Sequence, residues 1–463
     1  MKKLALLPIF IVLAGCAVGP NYKRPAVNLP TAYRAPALAQ SDDPAASLGN
    51  EKWWDVYQDP VLAQLIHTAL QQNYDVRIAA TRVLEAQAQL GITRANQFPS
   101  ASIGAGVSSQ QNAKVSSQFP AYEVNAGQLN LSVIWNLDFW GKYRRQTEEA
   151  RAQLLATKWG QQAVISSLVA NVATAYFQLR ALDAELEIGK RTLGSRQQSL
   201  QLTRLLETHG SASDLDVSQS EQLVYTASET IPDLERQIEQ QENALSILLG
   251  ENPSSIPRGN PLTEQPAPDS VPVGLPSELL ERRPDVREAE ANIMAANAQI
   301  GVAKASFFPS LSLTGAGGLE SNALHHFLQQ PSQTWNAAFG ITQPIFQGGA
   351  LRSQLRLARA QWQESVLSYQ QTVLNSLGQV SNALVAYDKD RQFREQQELL
   401  AQAAERSDRL SLVLYKQGGA SYLQVLTSET NDFSAELNLV QAQLNERLAL
   451  VQLYQSLGGG WQQ

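Results

Sequence analysis

Two kinds of hydrophobic periodicity alternate along this chain: a period of two residues and a helical period. This succession occurs twice. Between Gln128 and Asp138 the odd-numbered positions are all apolar, and the even-numbered positions between them are polar except for Ile134. A period of two indicates a β-strand with one apolar and one polar face. Three more stretches alternate in the same way with smaller residues: Ser100 to Val107, Ser310 to Gly315 and Trp335 to Thr342. The pattern predicts two strand pairs, each with a loop of roughly 15 to 20 residues between its strands.

A helical period follows each strand pair. The stretches from Tyr143 to Thr208 and from Ala350 to Gln417 contain no proline and very few glycines. Each is therefore predicted to be a single helix of roughly 65 residues, about 100 Å long at 1.5 Å per residue. In the second stretch the apolar positions between Leu351 and Tyr387 recur at a mean spacing of about 3.6 residues, which is typical of a nearly straight helix and not of a heptad coiled coil.

Glycine interrupts the chain at the end of each long helix. Gly210 ends the first helix, and Gly418 with Gly419 ends the second. Glycine is favoured after a helix because it readily adopts the left-handed conformation that ends the helix and turns the chain. We therefore expect a sharp tip at each place, followed by returning helices over residues 213–249 and 421–457.

The whole arrangement is present twice. Asp75 to Arg77 matches Asp285 to Arg287, and Phe98 to Ser100 matches Phe308 to Ser310, both 210 residues further along. The match continues to the end of each returning helix at an offset of 207 to 208 residues. The sequence therefore predicts a tandem duplication. Each copy is expected to begin with a helix that runs into Phe-Pro-Ser, over residues 60–96 and 277–306.

The N-terminus has the features of a lipoprotein signal. Lys2 and Lys3 precede an apolar run from Leu4 to Leu13, and two small residues separate this run from Cys16. The arrangement resembles a bacterial lipobox and holds the only cysteine of the chain, which predicts a covalent lipid on Cys16. Ala17 follows in place of aspartate, and by resemblance to lipoprotein sorting this favours the outer membrane. The alternative is an ordinary secretory signal whose cysteine is incidental.

These features divide the chain into six segments. The predicted segments are a signal peptide (1–15), an N-terminal lipidated segment (16–59), repeat 1 (60–250), a proline-rich linker (251–276), repeat 2 (277–459) and a C-terminal tail (460–463).

Composition excludes several classes of function. The formal net charge of −7 gives no basic bias towards nucleic acid. Four histidines and one cysteine supply little material for a metal cluster, and the pair His325 and His326 is better explained as a solvated loop tip. Met294 is the only methionine besides the initiator, so a methionine ladder for Cu(I) is not expected. The chain lacks the HExxH, GxSxG, GxGxxG and P-loop motifs, and we expect neither an enzyme nor a cofactor.

The amphipathic strands require an oligomer. Four strands cannot form a closed barrel, because unpaired backbone groups at the sheet edges would be stranded in lipid and bacterial barrels begin at about eight strands. Two, three or four subunits would supply eight, twelve or sixteen strands, and the pattern itself leaves this choice open.

Several long motifs carry a resemblance to a known family. The stretch from Glu51 to Ile66, the run GLPSELLERRPDVREAE from Gly274 to Glu290, the two Phe-Pro-Ser strand starts and the glycine tips resemble those of the TolC/OprM-type outer-membrane efflux proteins, in the lipoprotein branch nearest OprM. The resemblance covers essentially the whole mature chain. It implies a mainly α fold with a transmembrane β-barrel: a homotrimer with a 12-strand β-barrel, four strands per subunit, and a 12-helix α-barrel tunnel that crosses the periplasm.

The resemblance also implies a function. Such a trimer is a passive exit duct for drugs or other small toxic compounds, and it works with a periplasmic membrane-fusion adaptor and an inner-membrane pump of the resistance-nodulation-division type. A duct for type I protein secretion and a non-conducting periplasmic scaffold are the alternatives. The substrates, the particular pump and adaptor, and the resting state of the channel stay open at this stage.

Three residues near the tips are candidates for a gate. The resemblance places Asp216 at the narrow end of the tunnel with Asp214 beside it, and matches Tyr415 to a tyrosine that hydrogen-bonds this aspartate and holds the tip closed. The alternatives are capping of the returning helix by Ser213 or Asp214, and packing of Tyr415 between helices. Gln424 and Thr427 stand where some relatives carry acidic residues, and Ala420 stands where some carry arginine, so selection of cations by an acidic ring stays open.

Tips and strands supply the remaining candidates. The tip residues Gly210, Ser211, Gly418 and Gly419 are expected to contact the adaptor, and Trp135, Trp335 and Phe339 to lie at the membrane interface. The alternation predicts that one set of strand residues faces lipid: Leu129, Leu131, Val133, Leu311, Leu313, Phe339 and Ile341. It predicts that another set faces the lumen: Asn130, Ser132, Ser312 and Thr342.

Overall fold

The computed structural model describes residues 17–34, 47–113, 122–265, 271–322 and 332–461. The predictions for Cys16 and for His325 and His326 lie outside these residues. The helices are α1 (Trp53–Tyr57), α2 (Pro60–Gln72), α3 (Tyr74–Ala95), α4 (Lys142–Thr208), α5 (Asp214–Leu249), α6 (Pro276–Arg282), α7 (Pro284–Ala305), α8 (Ala350–Lys416) and α9 (Tyr422–Ser456). The strands are β1 (Ser100–Asn112), β2 (Tyr122–Leu137), β3 (Ser310–Ser321) and β4 (Gln333–Thr342).

The chain forms two compact units. Unit 1 comprises residues 1–26, 82–158 and 288–369, and it contains the strands. Unit 2 comprises residues 27–81, 159–287 and 370–463. Both repeats contribute residues to each unit, as expected for a duplicated chain.

The four strands form one antiparallel sheet in the order β1-β2-β3-β4. Leu131 lies opposite Ile103 and Gly317, whereas its neighbour Ser132 lies opposite Ser102 and Ala316. Leu313 lies between Trp135 of β2 and Phe339 of β4. The two sets of strand residues predicted from the alternation therefore lie on opposite faces of the same sheet.

The strands are longer than the alternation predicted, so the loops between them are shorter. Strand β1 continues from Val107 to Asn112, and Gln110 pairs with Val124 of β2. The backbone ladder does not depend on side-chain hydrophobicity, so it extends through polar residues where the alternation is lost. The predicted loop length of 15 to 20 residues is therefore wrong.

The single helices expected at the start of each repeat are each divided in two. Asn73 separates α2 from α3: its Oδ1 accepts from the backbone N–H groups of Asp75 and Val76, at 2.8 and 3.2 Å, and its Nδ2 donates to the carbonyl of Leu248 at 2.9 Å. Arg283 separates α6 from α7 because Pro284 follows it and disfavours helical backbone at the preceding residue. None of the helices in the described part of the chain is both long enough and apolar enough to cross a membrane.

The long helices and their return partners agree closely with expectation. Helices α4 and α8 each span 67 residues, and α5 and α9 begin directly after Ser213 and Ser421. The core of unit 2 joins α1 and α2 to the middle of α4 and α8 and to the ends of α5 and α9. Its largest fully buried residues include Trp53, Tyr176, Leu62, Leu245 and Leu453.

The proline-rich linker is fixed to this core by a buried carboxylate. Asp59 caps α2 by accepting from the N–H groups of Val61 and Leu62. Its second oxygen accepts from the hydroxyl of Tyr176 at 2.9 Å and from Nε2 of Gln265 in the linker at 2.6 Å. A single side chain thus ties the start of α2, the middle of α4 and the linker together.

Candidate gate and tip residues

The first tip is a glycine-terminated helix end. Gly210 has a φ of +74°, its N–H donates to the carbonyl of Glu207, and the N–H of Ser211 donates to the carbonyl of Leu206. This pair of bonds is the Schellman arrangement, which satisfies carbonyls that the end of a helix leaves unpaired. A Cβ added at Gly210 meets no atom within 4 Å, so backbone conformation is what requires glycine here.

The second tip has the same geometry. Gly418 also has a φ of +74°, its N–H donates to the carbonyl of Tyr415, and the N–H of Gly419 donates to the carbonyl of Leu414. A Cβ at Gly418 likewise meets no atom within 4 Å. Both tips predicted from the glycines are therefore sharp turns with exposed outer surfaces.

Asp216 takes part in a capping box at the start of α5. Ser213 Oγ accepts from the Asp216 N–H at 3.2 Å, and Asp216 Oδ2 accepts from the Ser213 N–H at 2.8 Å. The second repeat builds the same box with a neutral side chain, because Gln424 Oε1 accepts from the N–H of Ser421 at 3.1 Å. Helix capping therefore needs an oxygen at this position but not a negative charge. Asp214 occupies the first helical position beside Asp216 and is exposed.

Tyr415 packs in a small apolar cluster at the second tip. Its ring lies 5.3 Å from that of Tyr422, next to Leu412 and Leu223. Burial, and after it the charge of Asp216, raises the pKa of Tyr415. Among the described residues no hydrogen bond joins the Tyr415 hydroxyl to Asp216, so the bond implied by the resemblance is not formed in this structure. A gating role for these residues stays a prediction.

A group of carboxylates between α8 and α9 was not found from the sequence. Asp408 of α8 and Asp432 of α9 each have a buried oxygen without a hydrogen-bond partner, as does Glu429. Burial raises the pKa of Asp408 to about 6, with a further contribution from Glu429 and Glu436. Burial likewise raises the pKa of Asp432 to about 6, with Glu436 and Asp408 adding to it. The sequence signal for this group is that acidic residues of α8 and α9 face each other across the hairpin. Which residues face each other can be read only after the position of the tip is known.

Basic residues of α4 balance this group in part. The guanidinium of Arg196 lies 5.1 Å from the centre of the Phe433 ring, and its Nη1 donates to the carbonyl of Leu223 at 2.9 Å. Ser199 donates to Glu429 at 2.9 Å. Arg191 is paired with Glu436. The carboxylates of α9 are thus held against α4, and the pKa of Arg196 is lowered by burial against the opposing effect of Glu429.

The candidate interface aromatics lie on the apolar face of the sheet. Trp135 and Phe339 flank Leu313 in the same row of the ladder, and Trp135 Nε1 donates to the carbonyl of Gln97 at 3.1 Å. Trp335 is 83% exposed and precedes Phe339 by four residues in β4. The register separates Trp335 from the other two, and an interfacial position for all three stays a prediction.

Comparison with known proteins identifies the class to which this architecture belongs. Residues 65–251 and 275–459 match the outer membrane efflux protein family, and the chain belongs to that family. It is similar to the solvent efflux pump outer membrane protein SrpC of Pseudomonas putida, at 35% identity over 99% of both chains. It is also similar to the cation efflux system protein CusC of Escherichia coli O6:H1, at 34% identity over 100% of both chains. The solved structure of the outer-membrane channel OprN matches it with a TM-score of 0.89 and 29% identity, over 96% of this chain and 100% of that one.

These findings confirm the family, the fold class, the function as an outer-membrane efflux channel and the location in the outer membrane. The relatives are channel components of efflux pumps and not enzymes. Outer membrane efflux proteins work within tripartite efflux systems. The scaffold alternative raised by the long helices is therefore set aside.

Proposed function

We propose that three copies of this chain form one channel, with a 12-strand β-barrel in the outer membrane and a 12-helix tunnel below it. The sheet carries this proposal. In the described part of the sheet, the edge strands β1 and β4 each pair with one neighbour, and one face is apolar at Leu129 to Leu137 of β2 and at the residues opposite them. Unpaired edges are not tolerated in lipid, so the sheet must close with copies of itself. Three copies supply twelve strands, and the match to OprN supports this arrangement.

The oligomer can be tested on purified protein. Its mass in detergent, measured by light scattering with correction for bound detergent, should equal three mature chains, each of 50.7 kDa less the signal peptide of residues 1–15. The same preparation should form ion channels in planar bilayers. A monomer or a dimer would contradict the trimer, and a trimer without channels would contradict the exit duct.

The cargo that we propose is drugs, organic solvents or other small toxic compounds. The lumen-facing set of sheet residues is small and polar, and includes Asn130, Ser132 and Ser312, which suits a wide exit path that does not recognise one ligand. SrpC is named as part of a solvent efflux pump, whereas CusC is named as part of a cation efflux system. The neutral Gln424 and Thr427 in the second tip favour the first of these two classes, because they leave fewer fixed charges to hold cations.

The proposed partners are a periplasmic membrane-fusion adaptor and a resistance-nodulation-division pump in the inner membrane. The adaptor should meet the tips at Gly210, Ser211, Gly418 and Gly419. A groove of about 800 Å³ runs between α8 and α9 beside the second tip, and its apolar lining residues include Leu410, Leu414 and Leu423. Such a groove can accept the apolar face of a helical hairpin.

A covalent lipid on Cys16 completes the proposal. The lipobox supports it, and the lipid would anchor the N-terminus in the same membrane as the barrel. Mass spectrometry of the mature N-terminus would detect the acyl groups, and an unmodified Cys16 would contradict the proposal.

A further inference from the structure

The residues that follow Cys16 are bound tightly to unit 1. Val18 to Arg24, called the strap here, lie across the start of α4 and the length of α7. The side chain of Arg145 in α4 is only 5% exposed, and its guanidinium contacts the strap. It donates to the carbonyls of Val18 and Gly19 at 3.3 and 3.4 Å, and to Oδ1 of Asn21 at 3.0 Å.

The second half of the strap supplies donors to a buried anion. Glu290 of α7 has a side chain that is 6% exposed. Arg24 donates to both of its oxygens, at 2.7 and 2.5 Å, and the Tyr22 hydroxyl donates to Oε1 at 3.0 Å. Nδ2 of Asn297, two turns further along α7, donates to the carbonyl of Pro20 at 3.0 Å. One buried cation and one buried anion of unit 1 therefore share their hydrogen bonds with the strap.

Two glycines let the strap approach this closely. Gly19 has a φ of +119°, and a Cβ on it would lie 2.5 Å from Cα of Gly301 in α7. A Cβ on Gly301 would lie 2.8 Å from Cγ of Arg145. The strap backbone, the helix backbone and the stem of Arg145 are thus packed together with no space for a side chain.

The duplication provides an internal control for this site. The equivalents of Glu290 and Gly301 in the first repeat are Ala80 and Gly91, and a Cβ on Gly91 meets no atom within 4 Å. The equivalent of Arg145 in the second repeat is Ser353. The positions equivalent to Arg145 and Glu290 in the other repeat therefore carry no charge. General requirements of the repeated fold do not explain them.

The strap ends beside the base of the sheet. The N–H of Val18 donates to the carbonyl of Trp140 at 3.0 Å, and Ala17 packs against Gly141, directly after β2. Trp140 stacks on Phe308 at 4.8 Å. The first residue after Cys16 is thus placed where the strands of the sheet meet the helices.

The structure assigns Arg145 and Glu290 as the positioning residues of an anchor site for the strap, which fixes the point at which the N-terminal lipid enters the membrane. The position of the lipid rests on the proposed acylation of Cys16, whereas the anchor site does not.

Limited trypsin digestion of the full-length protein in membranes tests the assignment. Cleavage after Lys23 releases the peptide of residues 16–23, and it requires the strap to leave its site. Glu290→Gln and Arg145→Met should each raise the rate of this cleavage at least about tenfold, since loss of one hydrogen bond to a charged group has that effect on an opening equilibrium. Cleavage after Lys416 in the second tip serves as the internal reference and should not change.

Control variants separate the anchor from general damage. Arg151→Met on the exposed side of α4 and Glu85→Gln on the exposed side of α3 should leave the rate of cleavage after Lys23 unchanged. Arg24→Gln alters only the half-exposed strap partner and should accelerate cleavage even if a core variant fails to assemble. An unchanged rate in Arg24→Gln and Glu290→Gln would overturn the anchor site. The mass of the released peptide reports the lipid separately, so an unmodified Cys16 would overturn the acylation and leave the anchor site standing.

Discussion

The hydroxyl of Tyr176 donates a 2.9 Å hydrogen bond to Oδ2 of Asp59, and both residues are buried. The same oxygen accepts from Gln265 of the linker. Replacing Asp59 with alanine removes the cap of α2, leaves the buried Tyr176 hydroxyl without an acceptor, and leaves Nε2 of Gln265 with only the carbonyl of Asn260. We expect a loss of roughly 3 kcal/mol in the free energy of unfolding of unit 2, from the combined cap and hydrogen-bond terms. Denaturant titration monitored by fluorescence would measure it, and a loss below about 1 kcal/mol would contradict this role.

Acid should weaken the same contact. Burial opposes ionisation of Asp59, but hydrogen bonds from Gln265, the N–H of Leu62 and Tyr176 outweigh it and lower the pKa of Asp59. A lowered pKa contributes stability that is present above the unfolded value of about 4 and is lost as the pH falls through the folded value. Asp59→Asn should therefore remove part of the acid dependence of stability below about pH 4. If the loss of stability at acid pH is the same in Asp59→Asn as in the unaltered protein, other carboxylates control that loss.

Asp408 and Asp432 should make the hairpin of α8 and α9 sensitive to pH in the opposite sense. Their pKa values of about 6 lie above those of free carboxyls, so the stability they contribute is greatest below about pH 4 and is lost as the pH rises through 6. Hydrogen exchange over residues 400–435, corrected for intrinsic rates, should be slower at pH 5 than at pH 7.5. Asp408→Asn should reduce this difference, whereas Glu364→Gln on the exposed side of α8 should not. Equal protection at both pH values would contradict the prediction.

The charge of Asp216 can be separated from its capping role. Asp216→Gln reproduces the capping box that Gln424 forms in the second repeat, but removes the negative charge. If the carboxylate lines the constriction, this variant should lower the preference of the channel for cations without loss of stability. Asp216→Ala should in addition cost about 1 kcal/mol, because the N–H of Ser213 loses its acceptor in the capping box. Reversal potentials in a salt gradient would measure selectivity, and an unchanged preference in Asp216→Gln would assign the residue to capping alone.

Closure of the tip is tested by a second pair of changes. Tyr415→Phe with Asp216→Asn is expected to raise the single-channel conductance and to admit antibiotics that are normally excluded, if the two side chains approach each other in the closed state. Glu221→Gln, which removes a charge paired with Arg204, should have no such effect. Conductance equal to that of the unaltered channel would identify Tyr415 as a packing residue against Tyr422, as the observed contacts indicate.

Adaptor contact at the tips needs variants that leave the turns intact. Gly210 and Gly418 have positive φ, so any side chain there costs about 1 kcal/mol or more in the turn itself. Ser211 and Gly419 do not have this requirement. Ser211→Trp and Gly419→Ala should lower drug resistance at an unchanged amount of trimer, with Ser211→Ala as the mild control. Undiminished resistance would exclude these two positions from the contact.

The sequence by itself determined the parts of this protein that depend on near neighbours along the chain. A period of 3.6 without proline predicted α4 and α8 to within one residue at each end, because backbone hydrogen bonds in a helix connect residues four apart. The alternation of Leu131 and Ser132 separated the two faces of the sheet, since successive strand residues point to opposite sides. The duplication and the long motifs predicted the family, which the comparisons confirm.

Only the tertiary structure decided the features that join distant residues. The break at Asn73 depends on the carbonyl of Leu248, and the shared charges of Asp408 and Asp432 depend on the register of a hairpin. The anchor site brings the N-terminal strap to Arg145 and Glu290, more than a hundred residues away in the sequence. Such contacts follow from which surfaces pack together, and no local periodicity records them. The function of the molecule could be predicted from motifs that resemble a known family, whereas the placement of its N-terminus could not.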